Sequence, residues 1–167
     1  MIPVPRFLRL TLAVFLLVLP AFVAAQGGKI AFGNSKQNRN LPIEVTADSL
    51  SVNQNENTAT FTGNVLIGQG DMRLSAPTVL VIYRADKSGI KMLKAWGGVT
   101  LTSGEDAAEA IRAQYNVDTG QIEMHGDVLL LQGLYVLTGD RMYVDTINDT
   151  ARMAGRVKTL LNQEPSQ

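Results

Sequence analysis

The chain has 167 residues, a formal net charge of zero from 15 basic and 15 acidic side chains, one histidine and no cysteine. That balance excludes a broad basic face for a nucleic-acid backbone, so no nucleic-acid partner is expected, and the lack of cysteine excludes disulfides and thiolate metal sites. With 6 % aromatic residues and scattered acids, the paired acids and stacking aromatics of a secreted glycan-cleaving enzyme, the alternative from a different class, are also missing.

Residues 1–25 start basic (Arg6, Arg9), run apolar from Leu10 to Leu19, and end in Val23-Ala24-Ala25. This is the layout of a secretory signal peptide cleaved after Ala25, with an apolar run short for a membrane span; an uncleaved anchor is the rival reading. Cleavage leaves 142 residues carrying 13 basic and 15 acidic side chains, enough chain for one domain with its own core. Residues 26–40, QGGKIAFGNSKQNRN, are polar and aperiodic and read as a flexible leader; residues 162–167 read as a flexible tail. The domain is expected to span 41–161.

Within it the sequence repeats four times. Ala47, Ala76, Ala110 and Gly139 open the units, and Gly63, Gly97, Gly126 and Gly155 head a G-[NGDR]-V triplet near each end. Opener to glycine is 16 positions in units one, three and four and 21 in unit two, which carries extra residues around Asp86 to Gly89. Each glycine is 13 positions before the next opener, and Gln69-Gly70, Ser103-Gly104 and Gln132-Gly133 follow three of the triplets at one offset. A fixed period near 30 residues is the mark of a repeat array.

Alternation dominates each unit: Ala59, Phe61, Gly63, Val65 and Ile67 share one strand face, Thr58, Thr60, Thr62 and Asn64 the other. No sustained helical period follows the signal segment, so the class is all-β. The 13-residue spacing predicts antiparallel hairpins that pair Gly63 with Ala76, Val65 with Leu74 and Ile67 with Met72 about a Gln69-Gly70 turn; Val128 with Leu137 and Leu130 with Tyr135 follow by the same rule. The 16-residue spacing pairs Ala47 with Gly63, Ala110 with Gly126 and Gly139 with Gly155 around turns in NQNEN, VDTG and TIND. Openers and glycines then form one row of small residues across the sheet. Apolar positions resume at +3 and +5 after each opener (Leu50 and Val52, Val79 and Val81, Ala113 and Tyr115, Met142 and Val144), which places a β-bulge after the opener, beside that row. The expectation is a twisted, solenoid-like β-jellyroll of four bent hairpin repeats, open at both ends, whose eight long strands crease into a trough that is apolar inside.

No catalytic constellation accompanies this pattern, and the chain is not expected to be an enzyme or to need a cofactor or metal. His125 and Trp96 fall on the outer face by parity, and Asp140, Asp145 and Asp149 suit turns and a solvated face better than a calcium site. The interior is lined by Phe61, Val65, Ile67, Met72, Leu74, Val99, Leu101, Met124, Val128, Leu130, Leu137 and Met142. Two readings stay open on residues alone: a close-packed core, or a cavity that small crease residues and pliable methionines leave for an apolar guest.

PIEVTADSL, FTGNVLIGQGDMRLSAPTV and YNVDTGQIEMHGDVLLLQG resemble the LptA/OstA-like family of periplasmic lipopolysaccharide-transport bridge proteins. The resemblance covers about Leu41 to Leu161. It implies a β-jellyroll that holds the lipid A acyl chains of lipopolysaccharide and passes them from an inner-membrane LptC-type partner to an outer-membrane LptD-type translocon. An LptC-like membrane-anchored protein of the same pathway is the alternative within the family. The two unequal sheet edges, Ile43 and Val45 at one end and Val157 and Leu160 at the other, are expected to join copies head to tail.

Overall fold

Strict alternation with β-branched residues on both strand faces leaves this chain one way to bury its apolar half, as a sheet folded on itself. The computed structural model describes residues 30–33 and 40–161, and the expected signal peptide, most of the leader and the tail lie outside them. Among the described residues eleven strands form one antiparallel sheet: β1 (Ile30–Ala31), β2 (Glu44–Thr46), β3 (Ser49–Asn53), β4 (Thr58–Gln69), β5 (Met72–Tyr83), β6 (Ile90–Ser103), β7 (Asp106–Asn116), β8 (Gln121–Gln132), β9 (Tyr135–Asp145), β10 (Thr150–Ala154) and β11 (Lys158–Leu161). Neighbours in sequence are neighbours in space from β4 to β10, and β1 pairs with β10 at the far side. The fold is all-β and open.

Every long strand is bent at one crease. β2 and β3 both pair with β4, and β10 and β11 both pair with β9. Each couple is therefore one bent strand interrupted at the crease, which restores the expected eight. One wall carries the two-residue loops between β4 and β5, β6 and β7, and β8 and β9; the opposite wall carries the longer loops.

On the long-turn wall the register differs from the sequence expectation by one residue, with Ser49 opposite Thr62, Arg112 opposite His125 and Arg141 opposite Ala154; on the tight-turn wall it differs by two. Val65 pairs with Ala76, Ile67 with Leu74 and Gln69 with Met72; Val128 pairs with Gly139, Leu130 with Leu137 and Gln132 with Tyr135. The cause is turn chemistry. Gly70 has φ 59° and stands first in its loop, the II′ arrangement, so the loop is Gly70-Asp71 rather than Gln69-Gly70. Gly104-Glu105 and Gly133-Leu134 repeat it. A two-residue shift keeps every side chain on its face, so the inside-outside assignment survives.

The bulge also moves. Register breaks between Thr62 and Val65, Trp96 and Val99, and His125 and Val128, so the extra residue sits on the glycine strand, not after the opener. Glycine and the residue after it both take positive φ: 80° and 45° at Gly63-Asn64, 86° and 45° at Gly126-Asp127, 74° and 42° at Gly155-Arg156. Two successive left-handed residues turn the strand, and Asn and Asp are among the few side chains that accept such a φ. The glycine also needs to be bare: a Cβ on Gly126 would fall 2.8 Å from Ile111 Cδ1, and one on Gly155 2.4 Å from Asp140 Oδ2. Ala76, Ala110 and Gly139 accordingly pair with the triplet valines Val65, Val99 and Val128, and the single row of small residues becomes two staggered ones.

The longer loops close by a common device. Asn53 Oδ1 accepts the N–H of Asn55 and Glu56, Asn116 Oδ1 those of Asp118 and Thr119, and Asp145 Oδ1 those of Ile147 and Asn148. Such side-chain turns replace the missing ladder bonds. The insertion in unit two forms its own loop, with Asp86 Oδ1 accepting from the N–H and hydroxyl of Ser88.

Two further expectations fail at the ends. Leu50 and Val52 share the inward parity of their partners Phe61 and Ala59, yet are 56 % and 60 % exposed, because β3 is the last strand of its wall among the described residues. Part of the stretch read as leader belongs to the fold: Ile30 pairs with Ala151, Ala31 with Thr150, and Phe32 is fully buried. A single aromatic in a polar stretch gives no periodicity, so alternation could not reveal it. The edge expected at Gly155 to Leu161 is thus divided, with β11 open and β10 partly covered by β1.

Candidate functional site: the interior of the trough

The inward residues of both walls meet in one apolar interior. Val65, Val99, Leu101, Val128, Leu130, Met124 and Met142 are each no more than 2 % exposed; Ile67, Met72, Leu74 and Leu137 are buried with them, and Phe61 packs against the cluster from its half-covered position near the N-terminal edge. Burying such a side chain is worth about 1.5–3 kcal/mol, so the row accounts for much of the fold's stability. Of the edge residues, Ile43 and Val45 rest against the core, whereas Val157 and Leu160 are half exposed.

The interior is closely packed. A void of about 20 Å³ lies between the walls, lined by Ile43, Ile67, Met72, Leu101, Tyr115 and Ile122 among others, which is room for one water and far below the several hundred Å³ typical of a small-molecule pocket. For an apolar chain to enter, the walls must part or a buried side chain must leave. Methionines at 72, 124, 142 and 153 are the side chains best able to repack when they do.

Sequence reasoning missed the residues that shut the mouth. Gln69, Ser103 and Gln132 close their strands at the tight-turn lip, and the first two are buried. Tyr115 from the opposite wall donates its hydroxyl to Gln69 Oε1 at 3.3 Å, and Gln69 Nε2 donates to the Leu41 carbonyl at 3.1 Å. Gln132 Nε2 donates to the Ala31 carbonyl at 2.7 Å and to Asp106 Oδ2 at 3.0 Å. The signal was the recurrent polar residue before each turn glycine, visible once glycine is placed first in the loop.

Outside the trough, Trp96 is 42 % exposed. His125 is on the outer face but partly covered, 3.3 Å from Glu123 Oε2 and edge-on to Tyr143 at 6.5 Å between ring centres; Arg152 stacks over the same tyrosine. At the C-terminal crease, hydrogen bonds from Arg156 hold the Asp140 carboxyl below its usual range. Among the described residues no group of three or more acids and histidines could hold a metal ion.

Known proteins match both the sequence and the sheet. An uncharacterized protein of Rhizobium meliloti is 31 % identical over 122 residues, 73 % of this chain and 53 % of its own length. The lipopolysaccharide export system protein LptA of Haemophilus influenzae is 34 % identical over 76 residues, 46 % of this chain and 42 % of its own. The chain thus spans about half the length of these relatives. The crystal structure of LptH, described as the LptA-homologous periplasmic component of the lipopolysaccharide transport device of Pseudomonas aeruginosa, superposes with a TM-score of 0.66 at 19 % identity over 75 % of this chain and 99 % of that one. That likeness shows the fold. Over residues 44–150 the sequence matches the family model described as LptA/(LptD N-terminal domain) LPS transport protein, and the chain belongs to that family.

Proposed function

We propose that this protein is a periplasmic carrier of lipopolysaccharide that holds the acyl chains of lipid A in the trough and hands them along a bridge between the two membranes. The observation that carries the reading is the continuous apolar interior of a sheet that closes on itself only at its lips, so that a lipid could run from one end to the other without crossing a polar barrier. The unequal ends support head-to-tail assembly: strand edges β2 and β3 differ from β10 and β11, so joining them propagates rather than closes. By family membership an LptC-type inner-membrane partner would meet the N-terminal end and an LptD-type translocon the C-terminal end. Photo-crosslinkers at Val65 and Val128, inside, and Thr62, outside, provide the test. Lipopolysaccharide is expected to label the first two and spare the third; equal labelling would sink the reading.

A further inference from the structure

The segment Ile30–Gly33 is fastened at both lips of the trough. On the long-turn side, Ile30 and Ala31 pair with Ala151 and Thr150, and Phe32 N–H donates to the Asp149 carbonyl at 3.4 Å. On the tight-turn side, the Ala31 carbonyl accepts from Gln132, and Gly33 N–H donates to Asp106 Oδ2 at 2.8 Å. Between these anchors Phe32 is fully buried and joins the same core cluster as the lipid-facing candidates. Gly33 lies directly on Ser103: a Cβ there would fall 2.0 Å from Ser103 Oγ, a buried hydroxyl with no hydrogen-bond partner among the described residues.

A trough with a void of about 20 Å³ accepts an acyl chain only if something leaves it or its walls separate. Parting the walls breaks contacts along the whole interior. Lifting Ile30–Gly33 breaks two ladder pairs with β10, the one strand that β1 pairs with among the described residues, and the hydrogen bonds to Asp149, Gln132 and Asp106, and it withdraws one large apolar side chain from the interior. We propose that Phe32 occupies an acyl-chain subsite and that Ile30–Gly33 is a displaceable latch across the mouth, which lipid lifts on entry. The latch rests on the reading of the trough as a lipid carrier. It makes loading an exchange of one apolar occupant for another, so the empty protein never exposes its interior to water.

Cysteine pairs test it, since the chain has no other cysteine. Ala31→Cys with Thr150→Cys and Ile30→Cys with Ala151→Cys are adjacent cross-strand pairs. Adjacent pairs alternate between hydrogen-bonded and non-hydrogen-bonded geometry, and the closer non-hydrogen-bonded one suits a disulfide better. If the latch must open, the oxidised protein takes up fluorescent lipopolysaccharide roughly tenfold more weakly or worse, since apparent affinity scales with the competent fraction, and reduction restores it. A control bridge, Leu66→Cys with Ser75→Cys on the outer face between β4 and β5, leaves uptake unchanged. Gly33→Ala, which cannot sit on Ser103 without displacing it, binds more tightly than the natural chain. Equal uptake by the locked and reduced forms overturns the latch and leaves the lipid reading standing. Failure of the unmodified protein to take up lipid overturns both.

Discussion

The two ends of the array start from equivalent strands and finish differently. At the N-terminal end, β3 presents Leu50 and Val52 to solvent and has no neighbour beyond it among the described residues. At the C-terminal end, the matching place on β10 is partly taken by β1, and the buried Phe32 follows. A solenoid must cap or use its terminal repeats, and this chain covers part of one end and leaves the other open among the described residues. A strand's burial is thus set by what lies beside it as much as by its own pattern, since Leu50 and Phe32 are both apolar and only one is covered.

The largest effect expected from breaking that contrast is on stability. Phe32→Ala should cost about 3–5 kcal/mol, the usual loss for a fully buried aromatic. Leu50→Ala, exposed at the other end, should stay within about 0.5 kcal/mol. Chemical denaturation of the two variants checks this. Similar losses would mean that the ends do not differ in covering.

Next comes the crease that both ends share with the middle. Gly126→Ala places a Cβ 2.8 Å from Ile111 at φ 86° and should cost about 1–3 kcal/mol. Gly98→Ala has an equally unfavourable φ of 97° but no atom within 4 Å of the added carbon, so it should fall at the low end of the same range. Thermal melts that ranked them the other way would remove steric contact as the reason for the bare crease.

How far this architecture was legible follows from the same positions. The repeat, the all-β class, the inward face and the eight bent strands were readable because alternation and fixed offsets survive any register shift of two. The register was not, because it hangs on which loop position of Gln69-Gly70-Asp71 takes positive φ, and spacing alone does not say. The bulge was placed on the wrong strand because parity counts residues along one chain, whereas a bulge is a mismatch between two. Phe32 was invisible because its burial comes from tertiary contact across the mouth, not from a local period; Gln69, Ser103 and Gln132 do continue the inward alternation of their strands, but a polar side chain beside a turn glycine does not declare a partner on the other wall.

A smaller effect on the monomer sharpens the contrast at the edges. Leu50→Lys with Val52→Lys should leave the monomer's stability within about 0.5 kcal/mol, since both sites are exposed. Sedimentation should nevertheless show weakened self-association, because lysine on an edge strand opposes pairing with another chain. Val157→Pro, beside β11, should weaken the same assembly from the other side by removing a donor from the edge. Unchanged association in both variants would separate assembly from these edges.

The smallest expected effect distinguishes the creases of the two ends, which use one motif with different partners. At the N-terminal crease, Asn64 Nδ2 donates to Asp48 Oδ2 at 2.8 Å; at the C-terminal crease, Arg156 Nε and Nη2 donate to Asp140 Oδ1 at 3.0 and 2.6 Å. A neutral amide and a guanidinium fill the same place, the second residue of the bulge. The hydrogen bonds from Arg156 and then its charge hold the Asp140 carboxyl below the ordinary value of 3.8. A carboxyl lowered in the folded state adds stability that is complete above its unfolded pKa and disappears as pH falls through the folded one. Asp140→Asn should therefore lower the melting temperature slightly at neutral pH, with the difference steady down to about pH 4 and vanishing below it. Because the pair is exposed, added salt should shrink the gap as well. Asp48→Asn supplies the comparison, facing an amide whose bond carries no full charge of its own, so its melting difference should respond less to salt. A salt response as large at Asp48 as at Asp140 would show that the cation at position 156 contributes nothing beyond the hydrogen bond.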